Sequence, residues 1–184
     1  YEISPLNAPK IAIEVLNDLN AWQYILNLGK IAINKEYAHS NIYKFFINIY
    51  SDYLQKYDIS QFAHCVFGKT ALNRSNKEIM MLRDLLYLEY YFKYDFASLY
   101  PIYSRLDNIV GELKKFDSIK ADKLIALYQK AIQNNIPLEI KSLNVNPLEL
   151  IDLGIDAKHL NKILKKLLHI VLTQNIPNEK QILT

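Results

Sequence analysis

Apolar residues recur every three or four positions along most of this chain, the period of a helix with one buried face. The first such run, Ile11 to Leu28, carries Ile11, Val15, Leu16, Leu19, Trp22, Ile25 and Leu26, and Asn20 predicts a break into two short helices. Asn41 to Tyr57 repeats the pattern through Ile42, Phe45, Phe46, Ile49, Tyr50 and Tyr53, and a shorter helix is predicted from Asp58 to Val66. Ser75-Asn76-Lys77-Glu78 reads as a capping box, in which the Ser hydroxyl accepts from the Glu78 amide and the Glu carboxylate accepts from the Ser75 amide. The helix it opens is predicted to run to Tyr91, with Ile79, Leu82, Leu86 and Tyr90 on one face. Asp95 to Tyr103 is ambiguous. Asp117 or Ser118 then starts a helix through Leu124, Leu127 and Ile132, ending at Asn134-Asn135 before Pro137.

After Pro137 the character changes. An extended run, Leu138 to Val145, leads to Asn146-Pro147-Leu148-Glu149, a capping Asn with Pro at the first helical position. That short helix is predicted to end at Gly154, which can take the left-handed conformation, and a longer helix follows from Asp156 to Thr173. The chain therefore reads as all-α, an elongated multi-helix body with a small C-terminal helical tail, jointed near residues 135–145.

Composition narrows this picture. The 184 residues are 51% hydrophobic and 22% charged, a globular balance. With 4 Gly and 6 Pro there are few of the residues that make hairpin turns, which argues against a sandwich or barrel. No G-x-G occurs, and Gly68-Lys69-Thr70 lacks the upstream Gly of a Walker loop, so nucleotide-binding loops of those kinds are excluded. The lone Cys65 forbids an internal disulfide and fits a cytoplasmic setting. No apolar stretch is long enough to cross a membrane. Tyr1 in place of Met implies processing or a piece of a longer protein. The net charge of +3 does not by itself indicate a nucleic-acid partner.

Few constellations carry chemistry. His39, His64, His159 and His169 lack metal-ligand spacing, and adjacent His64 and Cys65 would point apart on a helix. Cys65 has no basic neighbour in sequence and reads as a buried thiol. There is no D-x-D and no acid/base pair, so no catalytic residue is assigned. Tyr87, Tyr90, Tyr91, Tyr94, Phe92 and Phe96 form an aromatic cluster that could stack on RNA bases, although a core with its rim is the simpler reading. Glycines at 29, 68, 111 and 154 suggest a repeat near 40 residues, but their surroundings share only a preceding apolar residue.

The sharpest signal lies after Asp156. Lys158, Lys162, Lys165, Lys166 and His169 fall within an arc of about 100° on a helix. Leu160, Ile163, Leu164, Leu167, Leu168 and Val171 occupy the other side. Such a cationic stripe suits phosphates along a nucleic-acid backbone. Periodicity alone does not separate this from an ordinary Lys-rich solvated face.

The tail also carries a resemblance. The run from Pro137 to Asn146, then Leu148-Glu149-Leu150-Ile151-Asp152-Leu153-Gly154-Ile155, Leu160 to Leu168 and the closing Ile176-Pro177-Asn178-Glu179 resemble the end of bacterial class II CCA-adding enzymes, the tRNA nucleotidyltransferases of the poly(A) polymerase family. Leu72-Asn73-Arg74-Ser75-Asn76-Lys77-Glu78-Ile79 resembles a helix start in that family's body domain. The sequence departs from the family at Asn146-Pro147, where Asn-Gly is usual, and at Ala157-Lys158-His159, where Pro-Gly-Pro is usual. The resemblance implies residues 1–30 as the end of a neck, 31–136 as body and 137–184 as tail. It implies tRNA as partner and, by position in the matched motifs, RNA-binding roles for Lys141, Asn146, Arg74 and Lys77 beside Lys158, Lys162, Lys165 and Lys166. The catalytic head, with its Mg, CTP and ATP sites, would lie upstream in the same protein. This chain alone is then expected to need no cofactor, to be inactive by itself and to bind neither DNA nor membrane. A competing expectation is a HEAT-like α-helical protein-interaction module, supported by the glycine spacing and the aromatics.

Overall fold

The computed structural model describes residues 8–174 and 176–183. Among these there is no strand, and the chain is all-α. It divides into two compact units, one reaching to Phe92 and the other running from Lys93. The predicted joint near residues 135–145 lies inside the second unit.

The first unit begins with α1 (Ala8–Asp18) and α2 (Trp22–Ile25). The break predicted at Asn20 is present, with that residue at φ +49°. The buried face of α1 differs from the sequence pattern. Ile13 is buried, whereas Ile11, Val15 and Leu19 are exposed. The reason is a polar anchor one turn after Ile13. Asn17 donates to the Ile33 carbonyl at 2.7 Å and accepts from the Ile33 amide and the Trp22 indole at 2.8 and 2.9 Å. That anchor turns the Ile13 side of the helix toward the 31–37 segment.

Three helices form the rest of this core: α3 (Ile42–Tyr50), α4 (Ile59–Phe67) and α5 (Asn76–Tyr90). Each starts on a side-chain cap, supplied by Asn41, Asp58 and Ser75, and the caps of α4 and α5 are full capping boxes. Phe46 and Phe67 meet edge to face at 5.3 Å, and Tyr50 packs on Phe62 at 4.9 Å and Tyr90 at 5.1 Å. Both phenols find acceptors: the buried Tyr50 donates to the Tyr57 carbonyl and the half-buried Tyr90 to the Ile47 carbonyl, each at 2.9 Å. Gly68 ends α4 where the chain doubles back. A Cβ there would stand 2.4 Å from the His64 carbonyl oxygen, so the turn requires Gly for close approach.

In the second unit the ambiguous stretch resolves into α6 (Phe96–Leu99), capped by Asp95. A helix absent from the sequence reading follows, α7 (Leu106–Leu113), with Leu106, Ile109 and Leu113 buried. Their spacing is helical, but Gly111 and the short length hide it. Next comes α8 (Ser118–Gln133), capped by Asp117. Its buried line uses Ala121, Leu124 and Ala131, while Ile132, expected on the core face, is exposed because Ala131 takes the buried position. The run after Pro137 is extended except for a single 3-10 turn at Ile140–Ser142. It leads to α9 (Pro147–Asp152), with Asn146 as cap and Gly154 left-handed at φ +96° as expected. The last elements are α10 (Ala157–Gln174) and α11 (Lys180–Leu183). α10 packs against α6, α9 and the 140–142 turn.

The four glycines are not equivalent. Gly29 and Gly154 have positive φ, Gly68 ends α4 with negative φ, and Gly111 lies inside α7. The 40-residue spacing therefore marks no common structural position.

Candidate nucleic-acid interface

The α10 helix is amphipathic because its sequence alternates Leu-rich and Lys-rich turns at helical spacing. Leu164, Leu168, Val171 and Leu172 are buried; Leu160, Ile163 and Leu167 are half-buried. Lys158, Lys162, Lys165, Lys166 and His169 are exposed, as the register predicts. They extend over roughly 16 Å of helix at 1.5 Å per residue.

The four lysines are not equivalent. Lys158 donates its ammonium to Asp156 at 2.8 Å, and its amide donates to the same carboxylate at 3.0 Å. These hydrogen bonds hold the Asp156 carboxyl below its usual 3.8. Lys162, Lys165 and Lys166 have no ion pair or hydrogen-bonded side-chain partner among the described residues. Together with His169 and Ile170 they border a depression of about 350 Å³. The lysine stems and Ile170 give it apolar walls, while the ammonium groups stay at its edge in water. An elongated anion fits such a surface: its charges meet the ammonium groups, and its uncharged parts rest on the stems.

The other predicted residues fall in different places. Lys141 is exposed and pairs with Glu139 at 2.9 Å, which raises its pKa. Asn146 caps α9, its side chain accepting from the Leu148 amide at 3.0 Å, so its oxygen has a structural role. Both belong to the second unit with α10. Arg74 and Lys77 belong to the first unit, at the start of α5. Arg74 reaches Glu78 at 3.5 Å; Lys77 is exposed.

One organising residue was missed. Asn178 donates to the Ser142 carbonyl at 2.9 Å and accepts from the Asn144 amide at 2.8 Å. Lys180 adds an ion pair to Glu149 at 2.6 Å. The C-terminal segment is thus clasped to the run that holds Lys141 and precedes Asn146. The signal was present in the closing Pro177-Asn178-Glu179, since an Asn amide can bridge one backbone donor and one backbone acceptor.

The aromatic cluster separates. Tyr90 is packed among core rings, and burial raises its phenol to about 12. Tyr87 meets Phe92 edge to face at 6.1 Å, and Tyr91 and Tyr94 are exposed. Cys65 is half-buried, and desolvation pushes its thiol up. Among the described residues no three His, Cys, Asp or Glu come together to hold a metal ion, and no helix is long and apolar enough to cross a membrane. In comparisons with known proteins, no family model, curated protein or solved structure matches the chain.

Proposed function

We propose that this chain is the tRNA-holding part of a CCA-adding tRNA nucleotidyltransferase, made of the end of the neck, the body and the tail. The reaction itself belongs to an upstream head that adds CMP and AMP. The observation that carries this reading is the exposed set Lys162, Lys165 and Lys166, without an ion-pair partner among the described residues, on a helix whose other face is buried. The resemblance of residues 72–79 and 137–179 to that family supports it. A-form RNA is held by shape and phosphates rather than by base sequence, which suits a row of lysines.

Binding of tRNA across a salt series tests the reading. Each phosphate contact contributes about −0.7 to −0.9 to the slope of log affinity against log salt. Replacing Lys162, Lys165 and Lys166 by Gln is expected to remove about 2–3 units of slope. The loss should be indifferent to base sequence. An unchanged slope would leave α10 as a solvated surface. The chain alone is expected to add neither CMP nor AMP to tRNA lacking its CCA end.

A protein-interaction module is the second reading. Exposed Leu148, Ile151 and Leu153 around α9 favour it. It predicts salt-insensitive binding of a protein ligand and no affinity for tRNA.

A further inference from the structure

The segment that follows α10 is fixed by side chains rather than by its own helix. α11 has four residues, too few to be stable alone. Its Leu183 is buried, but Ile182 beside it is exposed. The attachments that hold this segment converge on the joint between the extended run and α9.

The run has one 3-10 turn, in which the Ser142 amide donates to the Glu139 carbonyl and the Leu143 amide to the Ile140 carbonyl. Beyond that turn its main chain needs partners from elsewhere. Asn178 supplies one of each kind, donating to the Ser142 carbonyl and accepting from the Asn144 amide. Among the described residues, no other group outside residues 138–145 hydrogen-bonds to this stretch of main chain. Leu143, between the two bonded residues, is buried. Two residues after Asn178, Lys180 reaches Glu149 in the first turn of α9 at 2.6 Å. These polar contacts are on the exposed surface, where water can replace each partner. α10, in contrast, is held by four buried apolar side chains.

We propose that residues 176–183 form a releasable strap, in which the Asn178 and Lys180 contacts close and open together while α10 stays folded. Closed, the strap pins Leu143 in the core and fixes the run on one side of the joint and the start of α9 on the other. Open, the Ser142 carbonyl and Asn144 amide turn to water, and Glu149 loses its cation. Local opening of this kind exposes little apolar surface and lies at the low end of the range of opening free energies within a fold. The ion pair is screened by salt, so raised ionic strength shifts the strap toward open. The proposal concerns the order of the joint and does not rest on what α10 binds.

Native-state hydrogen exchange of the full chain, read amide by amide by NMR, tests it. The Asn144 amide, corrected for intrinsic rate, is expected to exchange at least about tenfold faster than the Leu168 amide of α10. Its rate should also depend far less on urea, because opening the strap exposes less surface than unfolding α10. Lys180→Gln touches neither Asn178 bond, yet it is expected to speed Asn144 exchange about two- to fivefold, the effect of one exposed ion pair. Raised salt should speed Asn144 in the unaltered chain and not in that variant. Asn178→Ala is expected to move the Leu183 methyl resonances toward random-coil positions with Leu168 exchange unchanged. Asn144 and Leu168 exchanging in step would overturn the proposal, because the strap would then have no opening of its own. So would an Asn178→Ala variant in which Leu168 loses protection as well. An Asn144 rate indifferent to Lys180→Gln would show two independent surface contacts and no device.

Discussion

In the first unit the buried side chains include Trp22, Phe46, Tyr50, Phe62 and Phe67; in the second, every large buried side chain among the described residues is aliphatic. The rings of the first unit meet at defined angles, and its phenols donate to named carbonyls. Such contacts are directional and add to burial. The second unit depends on apolar area; among its described residues Ser98 is the one buried polar side chain, accepting from the Lys93 amide at 3.3 Å, while Asn178 and Lys180 fix segments nearer the surface. Ion pairing does not separate the units: Lys10, Lys35, Lys44, Arg74 and Arg83 of the first meet carboxylates, and so do Lys115, Lys120, Lys141, Lys158 and Lys180 of the second. What sets α10 apart is that three lysines without such a partner among the described residues share one helix face. The comparison teaches that the units differ in how their cores are fixed, by ring geometry in one and by aliphatic area in the other, and that the open charge is a property of α10 alone.

The largest expected effect tests the cores. Phe62→Ala should cost about 3–5 kcal/mol and Leu168→Ala about 2–5 kcal/mol by chemical denaturation. The sharper contrast uses gentler changes. Phe62→Leu loses ring contacts to Tyr50 at 4.9 Å and Tyr53 at 5.8 Å, each worth about 0.5–1.5 kcal/mol beyond area. Leu168→Met conserves volume and should cost below about 1.5 kcal/mol. Equal losses would show that ring geometry adds nothing to the first core.

A smaller effect tests the caps. Ser75→Ala removes one side of a capping box and should cost about 0.5–2 kcal/mol. Asn146→Ala removes a single cap bond on the six-residue α9 and is expected at the low end of that range. The same Asn146 variant separates its two possible roles. A stability loss with unchanged tRNA affinity assigns it to the cap, and lost affinity at full stability assigns it to RNA.

Local chemistry was well read from the sequence. The Ser75 box, the Asn146-Pro147 start, the Asn20 break and the α10 stripe all rest on interactions between residues a few positions apart. What escaped depends on distant partners. The exposed Ile11, Val15 and Leu19 follow from Asn17 binding Ile33, sixteen positions away. Asn178 acts on Ser142 and Asn144, more than thirty positions away. α7 escaped for a local reason, since Gly111 interrupts a run only eight residues long.

The smallest expected effect is a titration that asks whether Lys158 belongs with the open face. Asp156 in the second unit and Glu78 in the first both have lowered pKa values, Asp156 through hydrogen bonds from Lys158 and Glu78 through those from Ser75. A depressed carboxyl stabilises the fold above its unfolded value and loses that contribution as pH falls through its folded value. The windows therefore open below 3.8 for Asp156 and below 4.5 for Glu78. Both groups are exposed, so the contributions are small, and the carboxyl carbon resonances are the better readout. Lys158→Gln should move the Asp156 midpoint up toward 3.8 and leave Glu78 where it is. Ser75→Ala should do the converse. To meet a phosphate, Lys158 must leave Asp156, so its phosphate contact gains less than one made by a free lysine. Adding Lys158→Gln to the Lys162, Lys165 and Lys166 variant should then change the salt slope by less than the 0.7–0.9 expected of a full contact, roughly. A full-sized further loss of slope, with the Asp156 midpoint unmoved, would show that Lys158 is as open as its neighbours and that the ion pair does not persist in solution.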